Sequence, residues 1–445
     1  MASTYLSRTN GTPTLSNKFT ISVWVKRAEL SSSGMNVICG SDSTGSHATQ
    51  FFFDGPSLRF FDNYSSTDLV TNRKFRDTNA WYHVVAAIDT SQITAADRVK
   101  IYVNGTQETS FATSNYPTQN SGMILNINGY TFYVGTAETA DGNKFGYFDG
   151  CMSHFHFVDG QQYDASVFGS TDATTGEWKI NTSPTMTMGN NGFTILKDGN
   201  TITDQSSNSN NFTLGAGTLT NTEDNPSNNF ATLNVLNFQK SGLVIANGAL
   251  NQTGHTGSDE FRTMYGSIGA SSGKFYWEMK VLGTNPSDAM NMRYGIVDAE
   301  QMDQVNGTFH NETRGYAYTG NSGNIQNGSN NNSYGNTYTT NDIIGCAVDL
   351  DNSKLYFSKN GTWQNSGDPT SGSTGTGSAY TLITGGFYGF AASGYANTIW
   401  QFNLGNGYFG TTAISSEGTN ASNIGKFEYD VPTGYTALST KGLNE

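Results

Sequence analysis

The fold is decided by two stretches of sequence, 81–89 (WYHVVAAID) followed by 99–105 (VKIYVNG), and 342–349 (DIIGCAVD) followed by 354–361 (KLYFSKNG). In each stretch an apolar run ends at an acidic residue, and an alternating strand then ends at Asn-Gly. Because Asn and Gly tolerate positive φ, this dipeptide between β-rich runs is a strong hairpin signal. A device that occurs twice, far apart in the chain, predicts two β-sandwich domains in tandem.

The composition also favours an all-β chain with many short strands. Hydrophobic residues make up 35% and charged residues 13% of the 445 positions, against about 45–50% and about 25% in typical domains. Aromatic residues account for 13% and glycines number 52, which excludes a disordered chain and fits many turns around aromatic cores. The length exceeds one ordinary core and suits two or three domains.

The charge balance excludes several classes of partner. Lys and Arg total 23 against 36 Asp and Glu, which gives a net charge of −13, and no basic cluster occurs. We therefore expect no binding to nucleic acid and none to an anionic membrane surface. Three cysteines are too few for a disulfide framework. Residues 1–20 have no apolar signal-peptide core, so we expect synthesis in a cytoplasm.

The pattern of strands and loops divides the chain into four predicted parts. Residues 1–160 and 231–410 each form a sandwich, and residues 411–445 form an extended C-terminal docking arm. Residues 161–230 form an ordered connector, in which 164–179 is the only helix-tolerant piece. We expect the connector to pack on the first domain through four apolar side chains: Phe193, Ile195, Leu196 and Phe212.

Three segments of the first part carry a family resemblance: 20–25 (TISVWV), 81–84 (WYHV) and 101–105 (IYVNG). Together they resemble the laminin-G-like branch of the concanavalin A-like lectin/glucanase superfamily, over residues 1 to about 160. The resemblance implies a jelly-roll sandwich of two antiparallel sheets.

The second half carries another set of motifs: 273–279 (GKFYWEM), 294–297 (YGIV), 315–318 (GYAY) and the hairpin 342–361. These motifs resemble a SPRY domain, which shares the same two-sheet plan. The predicted fold class is therefore all-β, with two tandem antiparallel jelly-roll β-sandwiches, one concanavalin A-like and one SPRY-like.

The connector and the C-terminal region resemble structural proteins of marine tailed phages. The segments that match are 168–179 (FGSTDATTGEWK), 191–193 (NGF), 224–230 (DNPSNNF), 402–410 (FNLGNGYFG) and 432–438 (PTGYTAL). A polar insert after Thr412 departs from the family pattern, in which the chain often runs straight into the terminal arm. The resemblance implies a virion component, such as a tail fibre, tail tip or capsid-surface protein. Its partners would be other virion proteins, in an oligomeric assembly.

The chain shows no catalytic signature, so we expect a protein that is not an enzyme. A glucanase needs a close pair of carboxylates, and the Glu-x-Asp-x-x-Glu signature of such enzymes is absent. The nearest acidic group, Asp298, Glu300 and Asp303, is interpreted as a solvated loop. A glycan depolymerase on the same scaffold and a peptide-binding SPRY adaptor remain the alternatives to a glycan adhesin or particle decoration protein.

Metal binding is weighed at two places, and no cofactor is expected. His154 and His156 share one face of a predicted strand, near Asp159, and we favour a polar outer face over a two-histidine site. Calcium is the open alternative, because this superfamily often holds it in Asp/Asn-rich loops, although no ligand set is spaced as in an EF-hand. The candidate calcium ligands are Asp42, Asp54, Asp62, Asn63, Asp141 and Asp149.

Glycan binding needs an aromatic face for the sugar ring and amides or carboxylates for its hydroxyls. Three loops supply both groups, and their candidate residues are Asp62, Asn63 and Tyr64, then Asn128 and Tyr130, then Tyr334 and Asn336. Candidates for attachment of the C-terminal arm to the particle are Phe427, Tyr429, Pro432 and Tyr435.

Overall fold

A computed structural model describes residues 3–30, 34–41, 47–197, 199, 201–238, 243–255, 261–283, 292–302, 308–395 and 398–445. The chain divides into two compact units, Met1–Asn221 and Thr222–Glu445. Residues 161–221 of the predicted connector lie in the first unit, and residues 222–230 lie in the second. No helix in the described ranges is long and apolar enough to cross a membrane.

The first unit consists of short strands joined by turns, with one four-residue helix, α1 (Ala95–Arg98), in its described part. The predicted helix-tolerant piece does not form an α-helix. It contains a 3-10 turn, Ala165–Val167, and a short hairpin in which Gly169–Thr171 pairs with Trp178–Ile180. The strands in chain order are β1 (Tyr5–Thr9), β2 (Lys18–Arg27), β3 (Met35–Ser41), β4 (Thr49–Asp54), β5 (Ser57–Asp62), β6 (Thr67–Thr71), β7 (Trp81–Asp89), β8 (Val99–Val103), β9 (Thr106–Gln107), β10 (Phe111–Asn115), β11 (Thr131–Val134), β12 (Ala137–Glu138), β13 (Lys144–Phe145), β14 (Gly150–Asp159), β15 (Gly169–Thr171), β16 (Trp178–Ile180), β17 (Phe193–Ile195) and β18 (Thr213–Ala216).

Two antiparallel sheets form the sandwich of the first unit. One has the strand order β10-β6-β5-β4-β3-β11-β1-β18 and the other β17-β14-β2-β7-β8-β9. Their facing side chains alternate along each strand and build one buried cluster. Phe193 packs edge-on against Phe132 at 5.2 Å and Phe212 at 4.6 Å, so part of the predicted connector completes this core.

The second unit has the same plan. Its 3-10 turns are Ala299–Gln301, Phe309–Asn311, Gln364–Ser366, Pro369–Thr374 and Gly442–Asn444. Its strands are β19 (Leu233–Phe238), β20 (Leu243–Ala246), β21 (Asn251–His255), β22 (Phe261–Ala270), β23 (Lys274–Val281), β24 (Met292–Asp298), β25 (Gly315–Thr319), β26 (Asn324–Asn327), β27 (Asn330–Ser333), β28 (Ile343–Asp349), β29 (Lys354–Lys359), β30 (Thr362–Trp363), β31 (Tyr380–Thr381), β32 (Tyr388–Tyr395), β33 (Trp400–Asn403), β34 (Tyr408–Phe409), β35 (Thr412–Ala413) and β36 (Thr436–Ala437).

The core of the second unit lies between a seven-stranded and a nine-stranded sheet. The first has the order β19-β22-β32-β24-β25-β26-β27, and the second β20-β21-β33-β23-β28-β29-β30, with β31 and β36 beside β29 and β23. Phe390 lies between them, 4.8 Å from the Phe402 ring and 5.9 Å from the Tyr294 ring. Both units are thus all-β sandwiches of antiparallel sheets, as predicted; among the described strands, β36 lies parallel to β23, and an isolated parallel bridge joins Asn406 and Lys426.

Both predicted Asn-Gly hairpins are present. Asn104 and Gly105 have φ of 45° and 80°, and Asn360 and Gly361 have φ of 48° and 78°. Each pair links two antiparallel strands as a two-residue loop, for which two positive φ values are required. The side-chain oxygen of each Asn also accepts a backbone N–H of the preceding buried strand, at 2.8 Å in both units.

The acidic residue that ends each apolar run forms a cross-strand ion pair. Lys18 lies opposite Asp89, and Lys274 lies opposite Asp349, with 3.1 Å between nitrogen and oxygen in both pairs. A side-chain amide from the following turn donates to each carboxylate, at 2.9 Å and 2.8 Å. Both carboxylates are nearly inaccessible to solvent. The same buried ion pair therefore joins the two central strands in one sheet of each sandwich.

We expect Phe193→Ala to destabilise the first unit by about 3–5 kcal/mol, because it removes a ring that four other phenylalanines contact and leaves a cavity. Chemical denaturation measures the change in the free energy of unfolding. Ile93→Ala, at a site that is 88% exposed, is the matched control and should stay within about 0.5 kcal/mol of the unsubstituted protein. A loss at Phe193 no larger than that of the control would contradict this account of the core.

Candidate functional site

Two of the three predicted sugar-binding loops lie at the same end of the eight-stranded sheet. Asp62 ends β5 opposite the start of β4, and Tyr130 precedes β11, which is paired with the last residues of β1 and β3. Three strand spacings separate β5 from β11, which is roughly 14 Å. We call residues 47, 62–66 and 128–130 the loop rim.

Tyr64 is the most exposed aromatic side chain of the loop rim. It is 51% exposed, and its ring meets the exposed His47 ring edge-on, with 5.2 Å between centroids. Asn63 stands next to it and accepts the backbone N–H of Ala48 at 2.7 Å. An aromatic ring and an amide therefore face solvent together at this end of the sandwich.

Asp62 supports the loop and does not face a ligand. Its side chain is fully buried, and it accepts hydrogen bonds from the Thr49 hydroxyl and from the Ser65 backbone N–H. Burial raises the pKa of this carboxyl, although those hydrogen bonds oppose the shift. The carboxylate therefore holds the turn that presents Tyr64.

The second loop of the rim is anchored by Asn10. The backbone N–H of Asn10 donates to Tyr130 at 2.9 Å, and its carbonyl accepts from Gly129 at 3.0 Å. The side-chain amide of Asn10 donates to the Leu125 carbonyl at 2.9 Å. Asn128 is exposed and Tyr130 half-buried, so an amide again faces solvent from a fixed backbone.

A buried carboxylate fixes the chain beneath this second loop. Asp159 is 1% exposed, and four donors surround it: the backbone N–H groups of Thr14, Leu15 and Asn191 and the side-chain amide of Asn126. Because Asn126 belongs to the turn that leads into the loop rim, this network positions the rim before any ligand binds.

The third predicted loop belongs to the second unit, and its tyrosine is a core residue. Tyr334 is 7% exposed, and its ring packs edge-on against Tyr318 at 5.6 Å and Phe357 at 6.3 Å. Its hydroxyl accepts the Phe357 backbone N–H at 3.2 Å. Of its two candidate residues only Asn336 is exposed, so this loop presents no tyrosine face.

The predicted attachment residues pack on the second unit itself. Phe427 and Tyr435 are each 1% exposed, and the Phe427 ring lies edge-on to Tyr276 at 5.0 Å. Tyr429 and Pro432 are partly exposed. The C-terminal arm is therefore docked on its own domain, and in this conformation the two most buried rings are not available to another subunit.

The two histidines that were considered for metal binding, His154 and His156, lie largely within the core. His156 is 3% exposed, its Nδ1 is hydrogen-bonded to the Thr194 hydroxyl at 2.9 Å, and its ring stacks on Phe168. The His154 ring centroid lies 6.4 Å away. Among the described residues, no group of three His, Cys, Asp or Glu side chains could hold a metal ion.

Some of the acidic residues that were considered as catalytic or calcium-binding groups form ion pairs with arginine side chains of the protein. Asp298 is 1% exposed and accepts from the Arg314 guanidinium at 2.6 Å. Asp54 accepts from Arg59 at 3.0 Å. Asp303 and Asp42 lie outside the described residues.

Sequence reasoning did not single out His83, which is buried behind the predicted connector. The Trp178 indole N–H donates to its Nδ1 at 3.1 Å, so the proton of the neutral ring sits on Nε2, 2.9 Å from the Ser22 hydroxyl. Burial lowers the pKa of His83 to about 3, and burial does the same for His156. A tryptophan downstream of an alternating strand was the only signal for this contact.

We expect the first unit to lose stability as the pH falls from about 6.5 towards 3. The native state holds His83 and His156 neutral, whereas the unfolded chain takes up protons below about 6.5. Each buried ring should cost about 2–3 kcal/mol between pH 7 and pH 4.5. Thermal melting at both pH values measures the loss.

His83→Gln should remove about half of this acid dependence, since glutamine cannot be protonated while the buried His156 remains. The exposed His47→Gln is the control, and it should leave the pH profile of the melting temperature as it was. An unchanged profile in His83→Gln would show that His83 is not the group whose protonation destabilises the fold.

Two family models match the chain, one in each unit. The model described as the concanavalin A-like lectin/glucanases superfamily, of laminin G type, matches residues 2–168. The SPRY domain model matches residues 274–407. These ranges cover most of the first sandwich and most of the second.

A curated relative and two solved structures are similar to part of the chain. The Ran-binding proteins 9/10 homolog of Drosophila melanogaster is 32% identical over 108 residues, which is 24% of this chain and 11% of that protein. The SPRY domain of human HERC1 is 18% identical over 38% of this chain and 96% of its own, with a TM-score of 0.30. A human SPRY domain is 18% identical over 37% and 95%, with a TM-score of 0.29.

The predicted domain types are therefore confirmed, while nothing in these similarities shows a phage or marine origin. The chain carries a domain of the concanavalin A-like lectin/glucanases superfamily at residues 2–168 and a SPRY domain at residues 274–407.

Proposed function

We propose that this chain is a non-enzymatic structural protein of a bacteriophage particle, a tail or capsid-surface component that binds host-surface glycan through the loop rim. The observation that carries the proposal is the exposed Tyr64 ring beside exposed amides on loops that buried hydrogen bonds hold in place. A lectin-like sandwich with such a rim is suited to binding rather than to turnover.

The chemistry of the rim favours an uncharged sugar. A pyranose ring can stack on Tyr64, and its hydroxyls can hydrogen-bond to Asn63 and Asn128. The one acidic candidate, Asp62, is buried and bonded to Thr49 and Ser65. Binding through such groups depends little on ionic strength, because salt screens interactions between charges.

Tyr64→Ala should weaken binding to host-surface polysaccharide about tenfold, because it removes the aromatic stacking surface. A glycan array, followed by titration calorimetry on the best glycan, measures the affinity. Tyr147→Ala is the matched control, since this half-buried tyrosine lies near the opposite end of the same sheet. Equal affinities for the two variants, or affinity that falls steeply with salt, would count against the loop rim as the site.

The placement in a virion is supported by the resemblance of segments 168–179, 224–230 and 432–438 to phage structural proteins. It is tested by mass spectrometry of purified particles, in which the protein should appear at several copies per particle. Its absence from the particles would refute this part of the proposal and leave glycan binding as a separate question.

A second candidate function is peptide binding by the SPRY domain. It is favoured by the domain match and by two exposed apolar side chains in one loop, Ile383 at 42% and Phe387 at 48%. The curated relative is named as a Ran-binding protein homolog. A peptide pull-down that succeeds while the glycan array stays blank would favour this function. Release of oligosaccharide from the polysaccharide would instead indicate a depolymerase.

A further inference from the structure

The C-terminal segment, residues 411–445, forms a strap over the nine-stranded sheet of the second unit. Its rings and aliphatic side chains pack on the sheet face that points away from the sandwich core, where Tyr276, Ala347 and Tyr356 lie. Its strand β36 adds to the sheet beside β23. The side chains of the strap in this contact are Ile424, Phe427, Val431, Tyr435 and Ala437.

A buried carboxyl group lies under the middle of this strap. Glu278 is fully buried on β23. The backbone N–H groups of Glu428 and Tyr429, both in the strap, donate to its two oxygens at 2.9 Å. From the sheet, the Tyr276 hydroxyl donates at 3.1 Å and the Asn403 amide at 3.2 Å. The strap thus shares this carboxyl acceptor with two groups of the domain.

Among the described residues, no lysine, arginine or histidine side chain forms a salt bridge with the Glu278 carboxyl. Lys426, on the strap, is paired with Glu223 at 2.9 Å, and Lys280, on the same strand, lies over the Phe409 ring at 5.8 Å. Within the described part of the chain, the titratable side chains that interact with Glu278 are Tyr276, through its hydroxyl, and Tyr294 and Tyr429, electrostatically. Glu428 contacts it through its backbone N–H.

We propose that the strap is a proton-linked latch, closed most firmly when the Glu278 carboxyl is protonated and loosened when that carboxyl ionises. The closed strap removes Glu278 from water, and opening returns it to water. The protonated group can donate to the Tyr276 oxygen and still accept from both strap amides. The ionised group keeps four donors but bears an uncompensated charge in a dry site.

The direction of the pH dependence follows from the burial. Desolvation by burial raises the pKa of Glu278 to about 7, although the four donors oppose the shift. In the open form the pKa returns to the ordinary value near 4.3. The closed form therefore holds the proton more tightly, so closure is strongest at low pH and weakens as the pH rises from about 4 to about 7.

Hydrogen exchange of the strap amides tests the latch in the full chain. After correction for intrinsic exchange rates, the opening constant for the peptide that contains residues 428 and 429 should rise roughly 50-fold to 100-fold from pH 5 to pH 8. A core peptide from β24, in the same unit, is the internal reference and should not follow this curve. A strap whose opening constant is the same at both pH values overturns the proposal.

Glu278→Gln should open to the same extent at pH 5 and pH 8, because its side chain is neutral at both. Glu428→Gln is the matched control: its carboxylate lies on the strap and is bonded to Ser415, so this variant should keep the pH dependence. If the strap still opens more readily with rising pH in the Glu278→Gln variant, the pH dependence of strap opening belongs to another group.

A direct titration keeps the test independent of any variant. In the unsubstituted protein, the infrared band of a protonated buried carboxyl should disappear with a midpoint near pH 7, and the opening constant of the strap should rise from about pH 4 and level off above that midpoint. A carboxyl that titrates near pH 4 with the strap closed would overturn the latch. The rings of Phe427 and Tyr435 belong to the strap and are buried against the sheet when the strap is closed. Attachment of the arm to a particle through these rings would therefore require the open form.

Discussion

The structure depends on the burial of aromatic side chains between paired antiparallel sheets. With hydrophobic residues at 35% of the chain, a core of small aliphatic side chains would bury little apolar surface, and rings of 150–250 Å² each supply much of it. Alternation along each strand sends every second residue inward. The consequence is two rigid sandwiches whose sheets are set by the core, while their connecting loops carry mostly Asn, Ser, Thr and Gly.

That rigidity is carried to the loops by buried polar groups at the strand ends. Asp89 and Asp349 each close a strand pair with a lysine, while Asp159 and Asp62 hold the loops next to the first sheet. These carboxylates are satisfied by backbone and amide donors, so they provide order rather than reactivity. A binding surface with fixed loops loses little entropy when it meets a ligand. This is the physical link between the core and the proposed glycan site.

Glu278 differs from these carboxylates because two of its donors are backbone N–H groups of the C-terminal strap. It lies at the centre of a strand, beneath a C-terminal strap that begins more than a hundred residues later. Its four donors come from three separate parts of the chain. A charge that is buried only when the strap is closed links the conformation of that strap to proton binding, which a fully exposed carboxylate could not do.

Local patterns were sufficient for the sandwiches. The period-two strands, the two Asn-Gly turns and the acidic residues after the apolar runs all lie within short windows, so their structures follow from backbone preferences and alternation. The same windows pointed to the Asp62–Tyr64 loop as one of three candidates. They failed for Tyr334, which has the same kind of sequence neighbours, because nothing local distinguishes a ring that caps a core from one that faces water.

The sequence by itself determined the fold class, the two domain types and the position of the hairpins, because these depend on neighbouring residues and on the alternation of side chains. Only the tertiary structure decided which polar residues meet. It buried Asp62 beneath its own loop, joined His83 to Trp178, and folded the C-terminal arm back onto Glu278. The contact of His83 with Trp178 and that of the arm with Glu278 join residues that are far apart in the chain, so no pattern within a short stretch of sequence specifies them.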